Sequence, residues 1–158
     1  MHIMFVCTGN VCRSPMGELL LSRYLEASTI TVSSAGTRGM ICREIDPLAG
    51  RLMTAVGIDS SGFRSRRLTR HLCESADLIL CFEEAQRTTI VTLAPTVVPR
   101  TFMLTDFANM SEYCARRSMV QGTTLQERLI PVLNAAPILR PPLPLPLSLI
   151  HLCPCRRI

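Results

Sequence analysis

The sequence predicts an α/β protein built on a parallel sheet with helices on both faces, and three observations carry that prediction. Short apolar runs suited to buried strands open the chain at residues 2–7 and recur at 29–33 and 78–82. Segments with apolar residues three and four apart, the period of a helix, lie between them. The two kinds of segment alternate, and alternation on this spacing builds crossover units rather than hairpins.

Each element has its own local argument. Residues 2–7 read as the first strand, followed by a polar loop, Thr8-Gly9-Asn10-Val11-Cys12-Arg13-Ser14. Pro15 suits a first helical turn, where its missing N–H is no loss. Met16, Leu19, Leu20 and Tyr24 then mark one buried face of a helix reaching about Ala27. The β-branched stretch 29–33 is a second strand. Asp46-Pro47 starts another helix with the acid as cap; Leu48, Leu52 and Val56 line its face before Gly57 stops it. A short helix from Thr69 introduces the third strand, 78–82. Residues 83–87 open the next helix, with a fourth strand at 90–93 or 97–102, and further helices near 112–119 and 123–133. No internal repeat is present.

The totals hide a break. Of 158 residues 47% are hydrophobic and 18% charged, the balance of a folded domain. Yet seven of the 11 prolines lie between Pro131 and Pro154, and no acid follows Glu127. The run Pro141-Pro142-Leu143-Pro144-Leu145-Pro146-Leu147 can be neither helix interior nor central strand, and it is too broken to cross a membrane. The expected organisation is therefore a domain at 1–135 and an atypical Pro/Leu-rich tail at 136–158. Loss of acids with a burst of Pro and Leu is what a frame change in GC-rich coding sequence gives; a divergent or disordered tail is the other explanation.

Charge narrows the function. All 17 basic residues are Arg, against 12 acids, for a net +5, and only +2 of it falls in residues 1–130. That is not the basic stripe of a nucleic-acid protein, though it accommodates a small anionic substrate. The eight cysteines are scattered rather than spaced as a disulfide framework, and no basic-then-apolar leader precedes residue 3. A reducing cytoplasm follows as the expectation, with no membrane insertion. Cys153-Pro-Cys155 lacks a second ligand pair, so neither a metal nor another cofactor is expected.

The loop between the first strand and helix carries the chemistry. Successive backbone N–H groups ending at a helix N-terminus form an anion cradle. A cysteine there suits covalent catalysis, because the thiolate is the nucleophile and a positive field favours it. Cys7-x5-Arg13-Ser14 has this form: Arg13 offers a planar fork for phosphoryl oxygens, and Ser14 can donate to the Cys7 sulfur. Gly9 permits close approach of the backbone to a ligand, and Asn10 can pin the loop. Ser34 and Thr37 read as supporting hydrogen-bonders. Arg64, Arg66, Arg67 and Arg70 read as a solvated basic face, Glu83 and Glu84 as first-turn helix acids.

The stretch Val6-Cys7-Thr8-Gly9-Asn10-Val11-Cys12-Arg13-Ser14-Pro15-Met16 resembles the signature of the low-molecular-weight protein-tyrosine-phosphatases. The likeness continues through Ser33-Ser34-Ala35-Gly36-Thr37, Asp46-Pro47, Gly57-Ile58-Asp59 and Asp77-Leu78-Ile79-Leu80 to Phe107. It implies a phosphatase I-like three-layer α/β/α sandwich with a four-stranded parallel sheet. It also implies a phosphocysteine at Cys7, with Arg13 and the loop from Thr8 through Gly9, Asn10, Val11 and Cys12 to Ser14 binding phosphate. A reversible Cys7–Cys12 disulfide is implied as well. Val11, where arginine-phosphate phosphatases of the family carry Thr, favours aryl phosphate. Bacterial members tied to exopolysaccharide or capsule export look most similar, which implies a phosphotyrosine-bearing protein partner such as a bacterial tyrosine kinase, and a monomer or weak dimer.

Two departures qualify the resemblance. No aromatic residue stands in Thr37-Arg38-Gly39-Met40-Ile41-Cys42, where many relatives stack one on the substrate ring; Arg38 and Met40 are the residues that could compensate. More seriously, the family's general-acid Asp near the C-terminus is missing, since no Asp follows Asp106. Asp106 reads as a helix-boundary residue and is a weak substitute; His151 is weaker. General acid catalysis is commonly worth ~100- to 10,000-fold, so reduced activity is expected. A phosphate- or phosphoprotein-binding module without turnover is the rival. An arsenate reductase is a third reading, opposed by Cys73 and Cys81, which sit in helix and strand rather than in a mobile resolving segment.

Overall fold

Apolar residues at every position from Ile3 to Cys7 commit the first strand to a sheet covered on both faces. The computed structural model, which describes residues 1–25 and 29–139, shows this strand, β1 (His2–Cys7), buried along its whole length past His2. It pairs in parallel with β2 (Thr31–Gly36) on one side and β3 (Leu78–Cys81) on the other. With β4 (Thr101–Met103) the sheet has four strands in the order β2-β1-β3-β4. The registers Cys7↔Gly36 and Val6↔Cys81 bring the C-terminal ends of three strands together, and the site forms there. β2 runs on past the predicted 29–33 through Ser34 and Ala35, both fully buried.

The helix α1 (Arg13–Tyr24) follows β1, with Pro15 in its first turn as expected. Its buried side differs from the prediction. Gly17 lies against the Phe5 ring, where an added Cβ would come within 2.8 Å of Cδ1, so the contact face centres on Ser14, Pro15 and Gly17. Tyr24 consequently stands in solvent, and the helix ends at Leu25, short of Ala27.

In α2 (Pro47–Ala55) the cap is as predicted, Asp46 Oδ1 accepting from the N–H groups of Leu48 (2.9 Å) and Ala49 (3.2 Å). Gly57, at φ +75°, ends the turn. The face is not as predicted: Ala49 and Met53 are buried, whereas Leu48, Leu52 and Val56 are exposed. Gly50 sits so near Ile45 that a Cβ would lie 3.3 Å from its Cγ2.

Thr69 caps α3 (Arg70–Ser75), which leads into β3. Residues 90–93 are helical, not a strand, because α4 (Glu84–Leu93) buries Gln86 and Ile90 four residues apart. A 3₁₀ segment, Pro95–Arg100, then delivers the chain to β4, leaving the last two residues of the predicted 97–102 as its extended part.

The chain divides into two compact units, residues 1–102 and 103–158. In the second, α5 (Leu104–Arg116) and α6 (Leu125–Leu139) pack together. Both start or end beyond the predicted 112–119 and 123–133. α5 begins at Leu104, with Phe107, Met110 and Cys114 as its buried residues, and α6 runs to Leu139 through Pro131 and Pro137. A reciprocal capping box starts α6: Thr124 Oγ1 accepts from Glu127 N–H, and Glu127 Oε2 accepts from the N–H groups of Thr123 and Thr124. Val132, Ala136 and Leu139, at helical spacing, then bury one side despite the prolines. Residues 140–158, with most of the predicted tail, His151, Cys153 and Cys155, lie outside the described residues. Among the described residues no helix is long and apolar enough to cross a membrane.

Candidate active site

Cys7 is the last residue of β1 and is 3% exposed. Its sulfur lies 3.0 Å from Ser14 Oγ and accepts from the Asn10 N–H at 3.2 Å. Asn10 Nδ2 donates to Ser14 Oγ at 2.9 Å, so the hydroxyl proton of Ser14 is left to point at the Cys7 sulfur or, more distantly, at Ala35 O (3.5 Å). A thiolate can only accept, so with Cys7 ionised Ser14 is the donor.

Asn10 holds the loop together. It is fully buried and sits at φ +54°, a left-handed conformation that Asn tolerates. Its amide also donates to Ser34 Oγ at 2.7 Å, and its Oδ1 accepts from the Arg66 N–H at 2.8 Å. Ser34 passes its own proton to Glu18 Oε2 at 2.5 Å, and Arg66 Nε donates to Ser34 O at 2.7 Å. Burial raises the Glu18 pKa, against the opposing pull of the Ser34 hydrogen bond and the Arg66 charge. A chain of contacts thus runs from Cys7 through Ser14, Asn10 and Ser34 to Glu18.

The loop's other end is set by backbone. Gly36 is essential to it: an added Cβ would lie 2.7 Å from Thr8 O and 2.9 Å from the Asn10 nitrogen. Thr37 N–H donates to Cys7 O, and Arg38 N–H to Thr8 O, both at 2.9 Å. At Gly9 the protein itself imposes no such limit, since a Cβ there meets only Val11 Cγ2 at 3.5 Å. No side chain caps the N-terminus of α1, which leaves that end of the helix dipole facing the loop.

Arg13 pairs with Glu83 at 2.5 Å and lies 5.7 Å above the Phe82 ring, which stacks on Phe5. Gln86 Nε2 donates to Thr8 Oγ1 at 3.2 Å, while its Oε1 accepts from the Phe82 N–H at 3.0 Å.

Several sequence expectations change here. Arg66 is no solvated cation but a fastener of Asn10 and Ser34, and Arg67 Nε donates to Gly39 O. Glu83 is the partner of Arg13, not merely a helix acid. Glu18, Phe82 and Gln86 were missed. The signal for Phe82 and Glu83 was their place just after a strand adjacent to β1; that for Glu18 was its position one turn beyond Ser14 on the same helix face. Val11 and Met40 come together on the rim, lining one cavity, and Arg38 is exposed beside them. Cys12 is half-buried, and neither it nor Cys7 is in a disulfide. Cys73 and Cys81 are buried, which pushes their thiols up to about 11 and about 12. Asp106 lies in the first turn of α5, in the second unit. Among the described residues no group of three or more His, Cys, Asp or Glu could hold a metal ion.

The site thus joins a cysteine at the end of a central parallel strand, a pinned loop over a helix N-terminus and an arginine at that helix's start. The sequence profile of the family described as low molecular weight phosphotyrosine protein phosphatase matches residues 2–116. The chain belongs to that family, and its four-stranded parallel sheet flanked by helices is the family's α/β/α fold. It is 34% identical over 110 residues to the low molecular weight protein-tyrosine-phosphatase Etp of Escherichia coli K12, covering 70% of this chain and 73% of that one. It is 39% identical over 102 residues to the probable phosphatase EpsP of Ralstonia nicotianae, covering 65% and 69%. Among solved structures, the tyrosine phosphatase AmsI of Erwinia amylovora superposes with a TM-score of 0.64 at 25% identity, over 86% of this chain and 88% of that one. The tyrosine phosphatase Wzb of Escherichia coli K30, in complex with sulphate, gives 0.61 at 33%, over 66% and 71%.

Proposed function

We propose that this chain hydrolyses protein phosphotyrosine through a phosphocysteine at Cys7. The observation that carries the reading is the environment of the Cys7 sulfur, which lies 3.0 Å from Ser14 Oγ and accepts from the Asn10 N–H at 3.2 Å. In the first step the thiolate attacks phosphorus, the S–P bond forms and the bond to the tyrosyl oxygen breaks. In the second, water attacks phosphorus, the S–P bond breaks, and inorganic phosphate leaves with the thiolate restored. The loop amides and Arg13 take the phosphoryl oxygens in both steps, where charge develops. A guanidinium has five donors, so one nitrogen can stay on Glu83 while the other meets a phosphoryl oxygen. Val11 gives the mouth an aliphatic wall suited to an aryl ester. The substrate is a phosphotyrosine-bearing protein, such as a tyrosine kinase, in a reducing compartment.

One step lacks a group. The departing tyrosyl oxygen needs a proton, and no Asp follows Asp106 in the chain. Turnover of phosphotyrosine is therefore slow, while esters with good leaving groups, which need little protonation, are hydrolysed faster. The same absence favours a second reading, a phosphoprotein-binding module that retains Cys7 and Arg13 without turnover.

Mass spectrometry after acid quench separates the two. Incubation with p-nitrophenyl phosphate should leave a phosphoryl group on Cys7, and Cys7→Ser should abolish turnover, a loss on the order of 10⁴-fold or more. Phosphate binding with neither a phosphocysteine nor p-nitrophenol release would establish the binding module instead.

A further inference from the structure

Beside the phosphate-binding loop a run of apolar side chains lies uncovered. Leu48, Leu52 and Val56 follow one another at four-residue steps along α2 and its C-cap and are 39%, 51% and 59% exposed. That spacing puts them on one face, bordering the side that buries Ala49 and Met53. Met40 and Ile41, 56% and 73% exposed, stand on the rim ahead of the helix. Single exposed apolar residues are ordinary, but a helical stripe that starts next to Pro47, which lines one cavity with the exposed Met40, is a patch.

The stripe begins at the loop itself. Asp46, the cap of α2, donates its N–H to Val11 O at 2.7 Å. Pro47, the first residue of α2, joins Val11, Met40 and Asp46 in lining a cavity of about 560 Å³. From there the helix leads away, and at 1.5 Å per residue Val56 stands roughly 12 Å farther along it than Leu48.

A second copy of the chain suits this face poorly. Five side chains fall far below the roughly 20–30 residues a side that a stable interface engages. The charges of the same segments, Arg43, Glu44 and Arg51, are of both signs and select no polyelectrolyte. The face is, however, continuous with the loop that takes the phosphoryl group, and a polypeptide anchored there must leave past one of its edges.

We infer that Leu48, Leu52 and Val56 form a docking strip for an aliphatic segment flanking the phosphorylated residue of the substrate protein. This rests on the reading that the loop takes protein phosphotyrosine. An extended segment advances ~3.3 Å per residue, so the strip accommodates about four residues, with alternate side chains facing it.

The test uses the full chain and peptides carrying a non-hydrolysable phosphonate analogue of phosphotyrosine. One peptide has Leu and Val at alternate flanking positions, the other Ser and Gly, and affinity is read by fluorescence anisotropy. The aliphatic peptide should bind about tenfold tighter, and Leu52→Glu should erase the difference while p-nitrophenyl phosphate turnover stays unchanged. Val56→Thr should give a smaller loss in the same direction. Equal affinities for the two peptides overturn the inference. So does a dimer in sedimentation that Leu52→Glu dissolves while the peptide preference survives. Failure of the underlying reading looks different: p-nitrophenyl phosphate turnover is absent, and inorganic phosphate does not compete with either peptide.

Discussion

The loop from Cys7 to Ser14 and the rim from Arg38 to Pro47 adjoin one another and are held differently. In the loop, buried side chains add to the backbone bonds at Cys7, Thr8 and Val11: Asn10 alone engages Ser14, Ser34 and the Arg66 backbone, and Ser14 engages Cys7. In the rim the backbone is tied, Cys42 N–H to Ser65 O, Arg43 N–H to Ser65 Oγ and Met40 O to the Ser65 hydroxyl. Its side chains, Arg38, Met40, Ile41 and Cys42, are left in solvent. Chemistry needs groups fixed before the substrate arrives. The rim instead has a firm frame whose exposed side chains can change without disturbing the ties of the loop.

The largest effect in breaking this contrast is expected at Asn10. Asn10→Ala removes one bond from each of three partners, two of them the buried Ser14 and Ser34, and puts Ala at φ +54°. A loss of about 3 kcal/mol in denaturant unfolding is expected, with at least a tenfold fall in p-nitrophenyl phosphate turnover. Unchanged turnover would mean that the network does not position the sulfur.

A smaller effect belongs to Glu18. Burial raises its folded pKa above 4.5. Between 4.5 and that raised value the folded state holds more of this proton than the unfolded state does, so stability falls as pH rises through the window. Glu18→Gln keeps an acceptor for Ser34 but cannot titrate. Unfolding midpoints measured from pH 4.5 to 7 should fall less steeply in the variant than in the unaltered chain. Parallel profiles would show that Glu18 is not the titrating group. The smallest effect is expected on the rim, where Arg38→Ala should alter p-nitrophenyl phosphate turnover by no more than about twofold. A tenfold loss would place Arg38 with the loop rather than the rim.

How much could be read beforehand follows from how far apart the cooperating residues lie. Cys7, Asn10, Arg13 and Ser14 fall within eight positions, and the strand before them and helix after them are marked by local pattern. The Asp46 cap and the Gly57 stop were legible for the same reason. Glu83 lies 70 residues from Arg13, and Arg66 lies 56 from Asn10, so nothing local pairs them. The face of α2 misled for another reason: Leu48, Leu52 and Val56 keep helical spacing, yet Ala49 and Met53, beside them around the helix, are the residues buried.

The sequence by itself determined the alternation of strand and helix, and with it the parallel sheet and the Cys7–Ser14 loop where the proposed chemistry is placed. These depend on periodicity and on contacts within one strand–loop–helix unit. Only the tertiary structure decided which partners hold that loop and which apolar residues stay uncovered. Gly36 must admit Thr8 and Asn10, and Glu83 must meet Arg13 across adjoining strand ends. Both are a matter of distance between segments remote in the chain, and the registers β1–β2 and β1–β3 settle them.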